Sequence, residues 1–274
     1  PSARLWSCVD IFSPTRSSPY AMIILNQPIT RPDIFFRAWR SCTFRICADG
    51  GANRLYDLLD AEHRASFLPN AIKGDLDSLR PEVRTYYASK GVSVKEDSDQ
   101  NSTDLMKCMD EVEALEDISG KTLPLILLGG LSGRIDQTVH SMALLHKLRS
   151  TRPEVFVLSG ESLAWVLDKG SHLIDIDHTT MGQTCGILPV GIDSATVTTN
   201  GLRWNLELGF GVARAADGFG KELERMKAGH GPRRSSIRGS ATERRNLVAS
   251  SGDENDDGSS DPGGKGEVGW QRLD

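Results

Sequence analysis

LPLILLGGLSGRIDQTVHSMALLHKLRS (residues 123–150) contains the repeating unit of the fold. Its opening apolar run has almost no polar alternation, which suits a strand covered on both faces. A glycine-bearing turn, 129–133, interrupts it. Val139, Met142, Leu145 and Leu148 then recur at helical spacing beside Leu144. Strand, glycine turn and helix in that order form the unit from which parallel sheets are wound.

The unit recurs outward from there. AMIILN (21–26), FRICAD (44–49), NAIKGD (70–75), VSVKED (92–97) and VFVLSG (155–160) alternate with helical patterns such as DIFFRAWRS and STDLMKCMDEVEAL. Residues 20–160 are therefore predicted to be an α/β domain with a doubly wound, mostly parallel, Rossmann-like sheet. Over 161–206 the runs become short and β-rich (LAWVLD, SHLIDID, QTCGILPV, SATVTTNGLRWNL), and a smaller antiparallel β domain is expected. Residues 1–19 read as an N-terminal tail. Residues 207–274, rich in Gly, Arg, Ser and Asp, read as disordered apart from one short helix at GKELERMK.

Composition narrows the function. A net charge of −5 gives no global basic balance for nucleic-acid binding. The five cysteines include no CxxC pair, which argues against a zinc site and a disulfide framework and for reduced thiols in a cytoplasmic protein. No apolar run approaches the roughly 20 residues of a spanning helix, so no membrane partner is expected.

The unusual residues follow the strands, where parallel sheets bind ligands. Asp49, Gly50 and Gly51 follow the second run; Asp75 and Asp77 the third; Asp97 to Asp104 the fourth; Gly129 to Gln137 the fifth. Gly129, Gly130, Ser132 and Arg134 suit a polyphosphate, since glycines expose backbone N–H groups, a helix N-terminus favours anions and arginine grips two phosphate oxygens. A plain tight turn is the alternative. Asp75 and Asp77, two apart in extended geometry, share a face and can reach one hard cation; an Asx turn is the alternative. Asp104 complements a helix dipole and Thr103 is a cap candidate. This much carboxylate beside a phosphate site repels ATP unless a cation lies between them, which favours metal binding.

Taken in order, CADGGANRLYD (47–57), KGDLDS (73–78), DQNSTDLMK (99–107), GGLSGRIDQ (129–137) and NGLRWNL (200–206) resemble the successive signatures of eukaryotic thiamine pyrophosphokinases. The resemblance implies an α/β catalytic domain, a β-sandwich thiamine-binding domain and a homodimer with sites at the subunit interface. It implies transfer of the β,γ-diphosphate of ATP to the thiamine hydroxyl, with release of AMP. By motif, Asp75, Asp77 and Asp104 would hold Mg²⁺, with Asp49 and Asp136 in support. Arg134, Ser132 and the Gly129–Gly130 backbone would cradle the triphosphate beside Gly50 and Gly51. Gln100 and Thr103 would lie near thiamine or the transferred group.

One departure bears on activity. The family continues after its tryptophan-bearing strand with further strands and a Ser-Thr-Ser-Asn stretch, where this chain reads NLELGFGVARAADGFGKEL. The β domain is therefore expected to be incomplete, with an unpaired edge. A catalytically dead, nucleotide-binding or dimerising relative is the alternative function.

Overall fold

A computed structural model describes residues 3–13, 20–189, 197–205, 245–251 and 267–273. The chain divides into two units, Asp10–Trp165 and, together, Pro1–Val9 with Val166–Asp274.

In the first unit the strands are β2 (Tyr20–Ile24), β3 (Cys42–Ala48), β4 (Ala71–Gly74), β5 (Ser93–Glu96), β6 (Leu125–Leu128), β7 (Val155–Ser159) and β8 (Ser162–Leu167), counting β1 (Arg4–Ser7) as the chain's first. Between them lie α1 (Pro32–Arg40), α2 (Gly51–Leu58), α3 (Pro81–Ser89), α4 (Asp104–Ser119) and α5 (Ile135–Leu148). Spatial order is β8-β7-β6-β2-β3-β4-β5. All neighbours are parallel except β7 and β8. The mostly parallel sheet expected from the alternating pattern is present. β2 and β6 form its centre, and every residue of both is buried. The chain runs β2 to β5 towards one edge, then returns to β6 and β7 on the other side of β2. The carboxyl ends of β2 and β6 thus flank a topological switch point.

The helices start and stop where their sequences direct. Pro32 and Pro81 open α1 and α3, where a missing N–H costs nothing. Ile34, Phe35, Ala38 and Trp39 give α1 one buried face. Thr103 caps α4 by accepting the Met106 N–H at 3.4 Å, and Gly120 ends it with a left-handed residue.

An ion pair ties α4 to the segment after α5. Arg152 donates to Glu116 at 2.5 Å and through a second, shorter bond, and to the Leu123 carbonyl at 2.8 Å; the Leu123 N–H donates back to Glu116. Both side chains are buried, at 6% and 10% exposure. Burial pushes the Glu116 carboxyl up, but the Arg152 hydrogen bonds and the Leu123 N–H outweigh it, leaving the pKa below its usual value. A lowered native pKa gives stability that is complete above the unfolded value, about 4.3, and lost as pH falls through the native one. Wild type is therefore expected to lose more stability than Glu116→Gln between pH 6 and pH 3 in urea titrations.

The second unit is β-rich. It contains β1, β9 (Ser171–Ile176), β10 (Met181–Pro189), β11 (Val197–Asn200), β12 (Arg245–Ser251) and β13 (Glu267–Leu273). One sheet runs β1-β9-β12-β11, with β1 parallel to β9 and the other pairs antiparallel. β10 and β13 pair antiparallel.

The structure corrects four expectations. Residues 4–7, read as part of a tail, form β1 and bury Trp6, whose indole N–H donates to His172 Nδ1 at 3.0 Å. LAWVL, expected to open the β domain, forms β8 against β7, because Gly160 (φ 56°) turns the chain back and the continuous apolar run needs cover on both faces. Within 207–274, read as disordered, β12 pairs with both β9 and β11, so the expected open edge is filled. Short apolar centres such as Leu247–Ala249 are lost when composition is averaged over a long polar segment. NGLRWNL was read as a strand, but β11 ends at Asn200 and residues 201–204 bend. The short helix expected at GKELERMK lies outside the described residues.

Candidate active site

Three carboxylates meet at the carboxyl ends of β3 and β4 and the start of α4. Ligand atoms of Asp49, Asp75 and Asp104 lie within 4.8 Å of one another; Asp77 is not in that set. The reason is Leu76, whose φ of 63° is left-handed and breaks the extended geometry that would align Asp75 with Asp77. Asp77 instead accepts the Ser78 hydroxyl at 2.9 Å. Asp49 is left-handed too (φ 43°), a second strained residue at the same spot, as functional sites often show.

Backbone groups fix this arrangement. The Ser78 N–H donates to Asp49 at 3.1 Å and the Asp75 N–H to Asp104 at 3.3 Å. Gly74 is where the three elements converge, since a Cβ there would stand 2.8 Å from that of Asp49 and 2.9 Å from Asp104 Oδ1. Gly50 and Gly51 leave no room for a side chain. A Cβ on Gly51 would lie 2.1 Å from the Ile24 carbonyl, and one on Gly50 would strike Asn26 at 2.3 Å.

The site is electrostatically unfavourable by itself. Burial holds the Asp104 carboxyl above its usual pKa, and the charges of Asp75 and Asp49 push it further. Burial also raises Asp49, with Asp77 adding to the effect against hydrogen bonds from Gly50 and Ser78. One Asp49 oxygen is buried without a hydrogen-bond partner. Among nearby cations, the buried Lys107 ammonium lies 3.7 Å from Asp104 and donates to the Asp97 carbonyl at 2.7 Å. Clustered oxygens with an orphaned carboxylate atom fit a hard divalent cation, which accepts few carboxylates and completes its shell with water and phosphate.

The glycine turn differs from its expected role. The Gly129 N–H donates to the Leu158 carbonyl at 2.8 Å and the Gly130 N–H to Gln27 Oε1 at 2.9 Å, so neither faces a ligand. Gln27 also accepts the Ser132 hydroxyl at 2.7 Å and donates to the Ser132 carbonyl at 2.6 Å. The anion-favouring groups lie further on, at Arg134 and the first turn of α5, whose N–H groups lack intrahelical partners. Arg134 is exposed and clamped by Asp136 at 3.1 and 2.5 Å. Thr103 is shared with α5 through His140 Nε2, 3.1 Å from its hydroxyl. Gln100 is exposed in the turn before α4 and reaches only the Ser98 carbonyl, at 3.4 Å.

Sequence reasoning missed Gln27. Gln27 follows β2, so the same carboxyl-end rule would have found it. Gln27→Ala would strand the buried Gly130 N–H, worth roughly 1–3 kcal/mol if left unpaired, while the exposed Ser132 hydroxyl would turn to water. A loss of roughly 1–3 kcal/mol in stability is expected in urea titrations.

Comparison with known proteins identifies the family. Residues 35–157 match the model of the thiamin pyrophosphokinase catalytic domain, and residues 171–214 that of the thiamin pyrophosphokinase vitamin B1 binding domain. Thiamine pyrophosphokinase 3 of Oryza sativa subsp. japonica is 39% identical over 69% of this chain and 73% of its own. This chain belongs to the thiamin pyrophosphokinase family. Thiamine pyrophosphokinase 1 of Arabidopsis thaliana is 35% identical over 81% of this chain and 85% of its own. The crystal structure of yeast thiamin pyrophosphokinase superposes with a TM-score of 0.74 at 25% identity, covering 98% of this chain and 91% of that one. The carboxylate trio and the glycine turn both lie inside the stretch matched by the catalytic-domain model.

Proposed function

We propose that this member of the family transfers the β,γ-diphosphate of ATP to the hydroxyl of thiamine, giving thiamine diphosphate and AMP. The observation that carries the reading is the Asp49–Asp75–Asp104 cluster, whose charges conflict unless a cation joins them. These three residues would hold Mg²⁺, which when bound supplies positive charge against the oxyanions of the triphosphate. Arg134, once drawn from Asp136 onto phosphate, would offset charge developing around the β-phosphorus, and the α5 N-terminus would bind phosphate oxygens. Thr103 positions Asp104 by capping α4. Gln100, exposed and weakly held, is the candidate for contact with thiamine. Transfer of this kind depends on alignment and electrostatics more than on a strong base.

A homodimer and a cytoplasmic location belong to the same proposal. Ile135 and Val139, one helical turn apart on α5, are 76% and 58% exposed and offer an apolar face to a second copy. All five cysteines are free, which suits a reducing compartment. Among the described residues no helix is long and apolar enough to cross a membrane. The catalytically dead alternative has no observation in its favour.

Incubation of the full chain with ATP, Mg²⁺ and thiamine is expected to yield AMP and thiamine diphosphate in equal amounts. Release of ADP or inorganic phosphate instead, or no product from folded protein, would overturn the reading.

A further inference from the structure

The first turn of α4 sets a positive charge beside one of the three carboxylates. Lys107 has a side chain only 2% exposed, and its ammonium lies 3.7 Å from Asp104 Oδ1. It also donates to the Asp97 carbonyl at 2.7 Å, so the head group is fixed from the loop before α4. Burying a lysine is costly unless its charge is met. The neighbouring Lys73 pairs elsewhere, with Asp97 and Glu111 at 4.0 and 3.8 Å. Among the described residues, no lysine or arginine other than Lys107 forms an ion pair with Asp49, Asp75 or Asp104.

Two simpler roles do not fit. A head group this deeply buried and held by a carbonyl is not placed to grip phosphate in an open site. Nor is it a surface pair one helical turn apart, which solvent would screen to a small effect. Its charge acts instead on the carboxylates, whose oxygens lie within 4.8 Å of one another. While no cation is bound, the ammonium offsets their mutual repulsion. Once a cation enters among the same oxygens, the ammonium is a like charge beside it.

We propose that Lys107 is a built-in counter-ion, a positioning residue that holds Asp104 in the trio before the metal ion arrives and weakens the trio's grip once the ion is bound. The inference rests on the cation site proposed above and adds the residue that sets its affinity.

Lys107→Met in the full chain keeps most of the side-chain bulk and removes the charge. Two effects of opposite sign are expected. In EDTA the variant melts lower than wild type, because Asp104 has lost its counter-charge. Titrated with Mn²⁺ in the absence of nucleotide, with free ion read by electron paramagnetic resonance, it binds about tenfold tighter, because a like charge has gone. Saturating Mn²⁺ therefore narrows the gap in melting temperature. Loss of the Asp97 hydrogen bond acts on the empty and the filled site alike and cannot produce that narrowing. An equal melting deficit with and without Mn²⁺, or no gain in affinity, would overturn the proposal. Lys107→Met combined with Asp75→Asn, which removes one charge of each sign, is expected to melt above the single variant in EDTA. A double variant no more stable than Lys107→Met, or two variants that both fail to fold, would trace the loss to packing and overturn it as well. Wild type that binds no Mn²⁺ would refute the cation site and this inference together, whereas wild-type binding without a gain in the variant refutes this inference alone.

Discussion

Asp75→Asn is expected to lower the proposed Mg²⁺-dependent AMP release by about a hundred- to a thousandfold, the usual cost of removing one group that stabilises transition-state charge. The same variant is expected to melt no lower than wild type in metal-free buffer. Both halves follow from one fact. Asp49, Asp75 and Asp104 bring their oxygens within 4.8 Å, and the repulsion raises the pKa of Asp104 after burial has already done so. Asparagine at position 75 retains an oxygen to accept the Asp77 N–H, which Asp75 takes at 3.3 Å, but removes one charge from the cluster. Repulsion falls, so the metal-free fold is relieved while cation affinity drops. Steady-state assays across a Mg²⁺ series, paired with thermal melts in EDTA, check the two halves separately. Lost activity with a lower melting temperature would indicate that Asp75 serves the fold instead.

Arg152→Ala has the largest expected effect on stability. It leaves Glu116 buried and charged with only the Leu123 N–H among the partners described above. Breaking a buried pair from one side costs roughly 3–5 kcal/mol, because the remaining charge has lost its partner without regaining water. For a protein of this size that corresponds to a fall in Tm on the order of 10 °C. The double variant Glu116→Met with Arg152→Met is expected to recover most of the loss, since two apolar side chains leave no charge stranded. A double variant as unstable as the single one would place the energy in packing.

The residues that set the parallel sheet were readable because each strand is an unbroken apolar run ended by Gly, Asp or Asn. The strand-end rule also brought Asp49, Asp75 and Asp104 to one place on paper. It set Asp77 beside Asp75 for the same cation, whereas Asp77 stands outside the observed cluster, because a left-handed leucine between two aspartates leaves no mark in composition or periodicity. It overvalued the N–H groups of Gly129 and Gly130, which a carbonyl from β7 and the side chain of Gln27, just after β2, already occupy. β1 was illegible for another reason. Four residues show no convincing period, and their partner, β9, lies more than 160 positions away. Local pattern cannot report a pairing of that range.

Mn²⁺ used as a spectroscopic substitute for Mg²⁺ tests the central claim most directly. Electron paramagnetic resonance of Mn²⁺ added to the full chain with ATP is expected to reveal a bound ion in wild type, and no such ion in Asp104→Asn or Asp49→Asn while both variants stay folded. Unchanged Mn²⁺ binding in those two variants would contradict the account, because the cation would then be held somewhere other than among the three carboxylates.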